Sequence, residues 1–310
     1  MKNKGIIFLI AIVSLGLLMF FAVNPQEIKT KPAITTAAPL RALYLPLSKG
    51  TNLPFVKKLL ERGKPLGVNM LVIDVHNPGN GIPRISREVM DYLNAEKILC
   101  VARVVCFPDG LNRMPVDEAY MSMLAKLVET AAQFGFQEIQ LDYIRFRDGG
   151  TPYSLEMKYR FIGDLLARFK TITDANKVKL SADLFGRIVY NRNDEIGQKV
   201  EIFSKYMDVL YPMLYPSHYT GDTARMAKPG ETVKEGTIKG LERVKGTDVK
   251  IQPYIQAFGY MVGHARVNLD RYIKLQIDAV ESTGARGWVA WNAKGDYEPV
   301  FKALEMPAAE

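Results

Sequence analysis

From Leu40 onward the chain repeats one pattern, a short β-rich run followed by a helical one. The candidate strands are Ala42–Leu45, Asn69–Val75, Ile98–Val105, Glu138–Tyr143, Lys179–Leu184, Asp208–Leu214, Lys250–Gln256 and Gly287–Trp291. Between them, helical patterns cover Leu53–Arg62, Val116–Phe134, Leu155–Lys170, Glu195–Tyr206, Val233–Val244, Leu269–Ser282 and Tyr297–Leu304. The link 76–97 supplies only a short helical segment, Arg87–Leu93. Such alternation indicates a parallel sheet, because parallel neighbours need a crossover between them. Eight units in about 270 residues predict one closed (β/α)8 TIM barrel over residues 40–310. An open doubly wound sheet fits less well. Gly79-Asn80-Gly81 is a turn, and no Gly-rich phosphate loop follows the first strand.

The residues before the barrel read differently. Lys2 and Lys4 precede Gly5–Val23, a run without a charge. A basic start and an apolar run predict a signal peptide or signal anchor over 1–23. No small-residue cleavage site follows Val23 closely, which favours the uncleaved anchor. The leading lysines then put the barrel outside the cytoplasm, anchored to the membrane, or secreted or periplasmic if the segment is removed. Residues 24–39 are Pro-, Thr- and Ala-rich and read as a linker.

Charge and cysteine exclude more than they select. The net charge is +8, of which the N-terminal segment carries +3 through Lys2, Lys4, Lys29 and Lys31 against Glu27, leaving +5 for the body. No dense basic run or aromatic-interleaved basic stripe follows, so nucleic acid is not an expected partner. Cys100 and Cys106 share one apolar stretch, too far apart along a strand for a disulfide, and read as buried thiols. His76, His218 and His264 are the only histidines and none makes a pair. That leaves no metal site and no cofactor to expect, and it argues against a metal-dependent polysaccharide deacetylase.

In a barrel the site lies at the C-terminal strand ends. Ionisable residues collect there: Asp74 and His76 on the second strand, Arg103 on the third, Asp142, Tyr143 and Arg145 on the fourth, Asp183 on the fifth. The sixth strand runs into Tyr215 and His218, the seventh ends at Gln256, and the eighth at Trp291 and Asn292. Period-two alternation turns Gln140 and Asp142 inward, with Ser181 and Asp183 beside them and Gln252, Tyr254 and Gln256 on the seventh strand. Charge inside a barrel mouth is costly unless it is paired or used. Asp142 and Asp183 end neighbouring strands, where they could flank one small group. Two such carboxyls suit glycosidic cleavage, one protonating the leaving oxygen while the other attacks or activates water. Asp74, His76, Arg103, Tyr143, Arg145, Tyr215, His218, Gln256, Trp291 and Asn292 are the candidate substrate contacts. The competing reading makes the two aspartates helix caps or ion-pair partners of Arg103 and Arg145. The stretch Gly221–Gly240, after the sixth strand, is a candidate lid or rim.

Three stretches carry a family resemblance: Gly135-Phe-Gln-Glu-Ile-Gln-Leu-Asp-Tyr-Ile-Arg-Phe146, Ser181-Ala-Asp-Leu-Phe-Gly186 and Asp208-Val-Leu-Tyr-Pro-Met-Leu-Tyr-Pro-Ser-His-Tyr219. With Arg41–Tyr44 and Ala102–Val105, they make the chain resemble the glycoside hydrolase-like domain family DUF4015, related in outline to amylase-like barrel glycosidases. The resemblance implies hydrolysis of an extracellular or cell-envelope polysaccharide or oligosaccharide, with Asp142 as strand-four nucleophile or base and Asp183 where such barrels keep a second acid. A non-catalytic carbohydrate-binding barrel is the alternative. The sequence leaves oligomeric state open. Arg147 departs from the family pattern, which leads us to expect Pro after Phe146 and leaves the shape of that loop open.

Overall fold

The computed structural model describes residues 39–307; the expected signal or anchor segment and the linker up to residue 38 lie outside them. Nine strands form one parallel sheet: β1 Leu40–Leu45, β2 Met70–Asp74, β3 Leu99–Val105, β4 Glu138–Asp142, β5 Lys179–Phe185, β6 Val209–Met213, β7 Lys250–Ile251, β8 Tyr254–Gln256 and β9 Gly287–Trp291. Strands β1 to β6 pair in chain order, β6 pairs with both β7 and β8, β8 with β9, and β9 returns to β1. The sheet is therefore a closed barrel of eight staves. One stave is made of β7 and β8, because Pro253 has no N–H to give to the ladder where Lys250–Gln256 was expected to run unbroken.

Two cores follow from the alternation. Outward residues such as Leu43, Leu71, Ala102, Leu141 and Ala182 pack against the helices. Inward residues Ala42, Met70, Val72, Val101, Val209 and Val289 fill the barrel with Tyr44, Tyr211, Tyr215 and Tyr254. The principal helices are α1 Leu53–Gly63, α2 Arg87–Ala95, α3 Glu118–Phe134, α4 Leu155–Ala175, α5 Pro229–Arg243, α6 Leu269–Glu281 and α7 Glu298–Glu305. Five start at side-chain caps that take an orphan N–H: Asn52, Ser86, Asp117, Ser154 and Asn268.

Two expectations are corrected. The helix expected over Glu195–Tyr206 is only Val200–Phe203, because residues 194–198 are spent closing the barrel top. The Phe146 N–H donates to the Ile196 carbonyl at 2.7 Å, and Gln198 binds the Phe185 N–H and the Asp183 and Ile144 carbonyls. The candidate lid Gly221–Gly240 is mostly helix. A short turn, Thr223–Ala227, leads into α5, whose Gly236 and Gly240 lie close against Leu214 and Ile251. A helix seated on the sheet in this way cannot open as a lid.

Candidate active site at the C-terminal mouth

The mouth is built on one guanidinium. Arg103 Nη1 donates to Asp74 Oδ1 at 2.7 Å; Nε at 3.1 Å and Nη2 both reach Asp142 Oδ2; and Asp183 Oδ2 stands 3.6 Å from Nε. Three carboxyls thus share one cation, so the cluster cannot be neutral if all three are ionised. The Oδ2 atoms of Asp142 and Asp183 converge on the same Arg103 nitrogen. Asp183 Oδ1 is sealed from solvent and meets no N–H or O–H donor. Two like charges brought to one nitrogen disfavour each other's ionised form. Burial first, then the charge of Asp142, pushes the Asp183 carboxyl well above the ordinary aspartate value. The other side of the cluster is held by Tyr44, whose hydroxyl donates to Asp74 Oδ2 at 2.6 Å and whose pKa burial and Asp74 drive up.

Strand geometry explains the meeting. Gln140 pairs with Arg103 and Ser181 in register, so Asp142 and Asp183, each two residues on, land in the next inward layer. Directly after Asp142 the chain turns through Tyr143 at φ 58°, and the Tyr143 N–H donates to Asp142 Oδ1 at 2.6 Å. A non-glycine residue in that region is strained and persists where its surroundings fix it.

Asp183 has a stability consequence with a definite sign. Its folded pKa lies above the ordinary 3.8, so the folded chain holds a proton the unfolded chain has released. Its contribution is intact below about pH 4 and is lost as pH rises toward the folded value. Asp183→Asn is therefore expected to flatten the fall of unfolding free energy as pH rises above about 4, measured by denaturant titration at each pH. An unchanged slope would show that Asp183 ionises as freely in the fold as outside it.

An aromatic wall stands beside the acids. Trp291 stacks on Tyr44 at 6.0 Å between ring centroids and lies 5.8 Å from Tyr215 and 5.4 Å from Phe258. His218 is exposed at the rim, its ring edge-on to Tyr215 at 5.0 Å, and partial burial lowers its pKa.

The structure brings together Asp74, Arg103, Asp142, Asp183, Tyr215 and Trp291, with Tyr143 and His218 at the rim. Four other candidates serve the scaffold. His76 is 2 % exposed; its Nδ1 meets the Asn80 carbonyl at 2.9 Å and its Nε2 accepts the Val105 N–H at 3.0 Å. Gln256 accepts from Ser217 N–H and donates to the Phe258 and Tyr260 carbonyls. Asn292 bridges the Ala257 carbonyl and the Lys294 N–H. Arg145 binds the Phe146 carbonyl and Asp148, and lies over the Phe185 ring. These bonds share a cause: loop backbone groups need partners, and these side chains supply them. The alternative roles for the aspartates also resolve. Neither caps a helix, and Arg103, not Arg145, is their partner. Arg147 resolves the loop question. Its N–H donates to the Leu111 carbonyl at 3.0 Å and ties the loop after β4 to the one after β3, a bond proline could not make.

Tyr44, Phe258 and Gln140 were not among the candidates. Tyr44 was findable as the last inward residue of β1, after Leu40 and Ala42. Gln140 accepts from the Tyr254 hydroxyl at 2.8 Å just beneath the acids.

A closed eight-stave barrel with buried acids at its C-terminal mouth defines the architectural class. The chain belongs to the DUF4015 family, described as "Putative glycosyl hydrolase domain", which matches residues 114–297. No curated protein matches the sequence. Among solved structures, the PgaB (BpsB) glycoside hydrolase domain from Bordetella bronchiseptica is similar, with a TM-score of 0.62 and 14% identity over 86% of this chain and 98% of that one. A chitinase from Chromobacterium violaceum ATCC 12472 gives 0.60 at 15% identity over 86% and 98%. The spore cortex-lytic enzyme SleL from Bacillus megaterium QM B1551 gives 0.59 at 12% identity over 87% and 75%. At these identities the likeness is one of fold.

Proposed function

We propose that the chain is a glycoside hydrolase acting on an extracellular or cell-envelope polysaccharide. The observation that carries this reading is the pair of buried carboxyls, Asp142 and Asp183, gathered on Arg103 at the mouth of a DUF4015 barrel, beside an aromatic wall. The two carboxyls meet at one Arg103 nitrogen, 3.1 Å and 3.6 Å away, so the titration of each depends on the other. They therefore act as one unit that shares a proton. That unit protonates the leaving glycosidic oxygen, and the charge left on it faces the oxocarbenium centre. Asp74, on the far edge of Arg103, is the separate carboxylate placed to accept a proton from the attacking water. Arg103 holds both in position, and Trp291 offers a flat face to a sugar ring.

The low exposure of Asp142 and Asp183, 3 % and 1 %, favours a second reading, a non-catalytic carbohydrate-binding barrel. Incubating the purified chain with a panel of polysaccharides separates the two: new reducing ends support the enzyme, and binding without any release overturns it. On either reading Trp291→Ala is expected to weaken polymer affinity about tenfold, the worth of one aromatic contact. Isothermal titration checks this, and undiminished affinity would remove Trp291 from the sugar site. We further propose that the segment 1–23 exports the barrel and holds it at the outer face of a membrane unless cleaved.

A further inference from the structure

We infer that the opposite, N-terminal end of the barrel carries a binding site for a phosphate-type oxyanion. The loop before β7 and the loop before β9 enclose a recess of about 400 Å³ there, lined by Lys245, Gly246, Lys250, Gly284 and Arg286 among others. Arg286 is the key residue. Its Nη1 donates to Glu138 Oε2 at 2.8 Å and to the Tyr211 hydroxyl at 3.1 Å, and that hydroxyl donates to Glu138 Oε1 at 2.5 Å. Glu138 is 1 % exposed, so this pairing fixes the guanidinium like a bolt through the barrel floor.

An arginine has five N–H donors, and Nη1 uses two. No protein acceptor meets Nε or Nη2 of Arg286 among the described residues, and neither atom is sealed from solvent. Arg286 lines the recess with a side chain that is 10% exposed, and its Nε–Nη2 edge is the donor pair left to take two oxygens of one anion. Around it the balance of charge is positive. Lys245 and Lys250 form no ion pair among the described residues, while Glu242, the acid in the lining, is held by Lys239 at 3.2 Å. Asp248 lies in the same loop but does not line the recess. Two exposed ammoniums beside a fixed fork suit a compact, multiply charged oxyanion better than a single carboxylate. This end of the barrel is remote from the acid pair, so the site is independent of the catalytic reading.

The test is titration of the purified full chain with inorganic phosphate, and separately with a phosphodiester polymer, against sodium chloride of matched ionic strength. Saturable binding of either supports the site, and the tighter of the two names the source of the group. The doubly substituted Lys245→Ala/Lys250→Ala chain and the Arg286→Lys chain are each expected to bind about tenfold more weakly. The lysine pair is exposed and leaves the Glu138 network intact, so its result stands even if the Arg286 variant folds poorly. Asp142→Asn, at the other end, should bind as the wild type does. Phosphate acting no differently from chloride, equal affinity in the lysine variant, loss of binding in Asp142→Asn, or acetate binding as tightly as phosphate would each overturn the assignment.

Discussion

Asp142→Asn is expected to lower the release of reducing ends by about 10³-fold, the scale of a lost general acid, while polymer affinity stays within about twofold. The substitution keeps volume and leaves one oxygen, enough for the Tyr143 N–H or for Arg103 but not for both, and it removes the charge that Asp183 and Arg103 both sense. Its effect on Asp183 has a clear sign. The Asp142 charge is the second largest cause holding that proton on, after burial, while Arg103 pulls the other way. Without Asp142, Asp183 gives up its proton more readily, and the unit loses its proton store and its outer oxygen together. Initial rates on whichever polysaccharide the wild type cleaves, with binding measured in parallel, decide the matter. Full activity would remove the acid pair from the chemistry. Loss of binding along with activity would make Asp142 a structural post for Arg103.

The barrel was legible because its two periodicities differ. Alternation of two marks a strand and spacing of three or four marks a helix, and here the two alternate along most of the barrel; β9 lies where the pattern puts it, residue for residue. The same parity placed Asp142, Asp183, Gln140 and Tyr254 inside. Separation was not legible. Whether Asp142 and Asp183 touch or stand a sugar apart depends on barrel stagger and on where Arg103 points, and neither is written in local sequence. The scaffold bonds of His76, Gln256 and Asn292 were not legible for a different reason. A polar side chain in a rim loop looks the same in sequence whether it faces a ligand or a neighbouring carbonyl. Position 147 cuts the other way: a departure from the family pattern became intelligible once its N–H was seen to bind Leu111.

Gly287→Ala is expected to be the most damaging small substitution in the barrel, on the order of 4 kcal/mol or more. Gly287 opens β9 opposite Leu40, at the seam where the last strand meets the first. Its φ is 147°, and a methyl group there would lie 1.9 Å from the Leu40 carbonyl oxygen and 2.5 Å from its nitrogen. Both are backbone atoms already committed to the ladder, where the Leu40 N–H donates to the Arg286 carbonyl at 2.9 Å, so no side-chain rotation can make room. Relief requires the seam to part. Tyr44 and Trp291 then separate, since they stand on the two seam strands, and Arg286 shifts beneath Glu138. Gly284→Ala provides the control. It also has positive φ, 80°, but open space around it, so it should cost only the backbone strain of about 1 kcal/mol. Urea unfolding of both variants checks the contrast. If they lose stability equally, close approach at the seam is not what the barrel needs from Gly287, and its backbone angle alone accounts for the glycine.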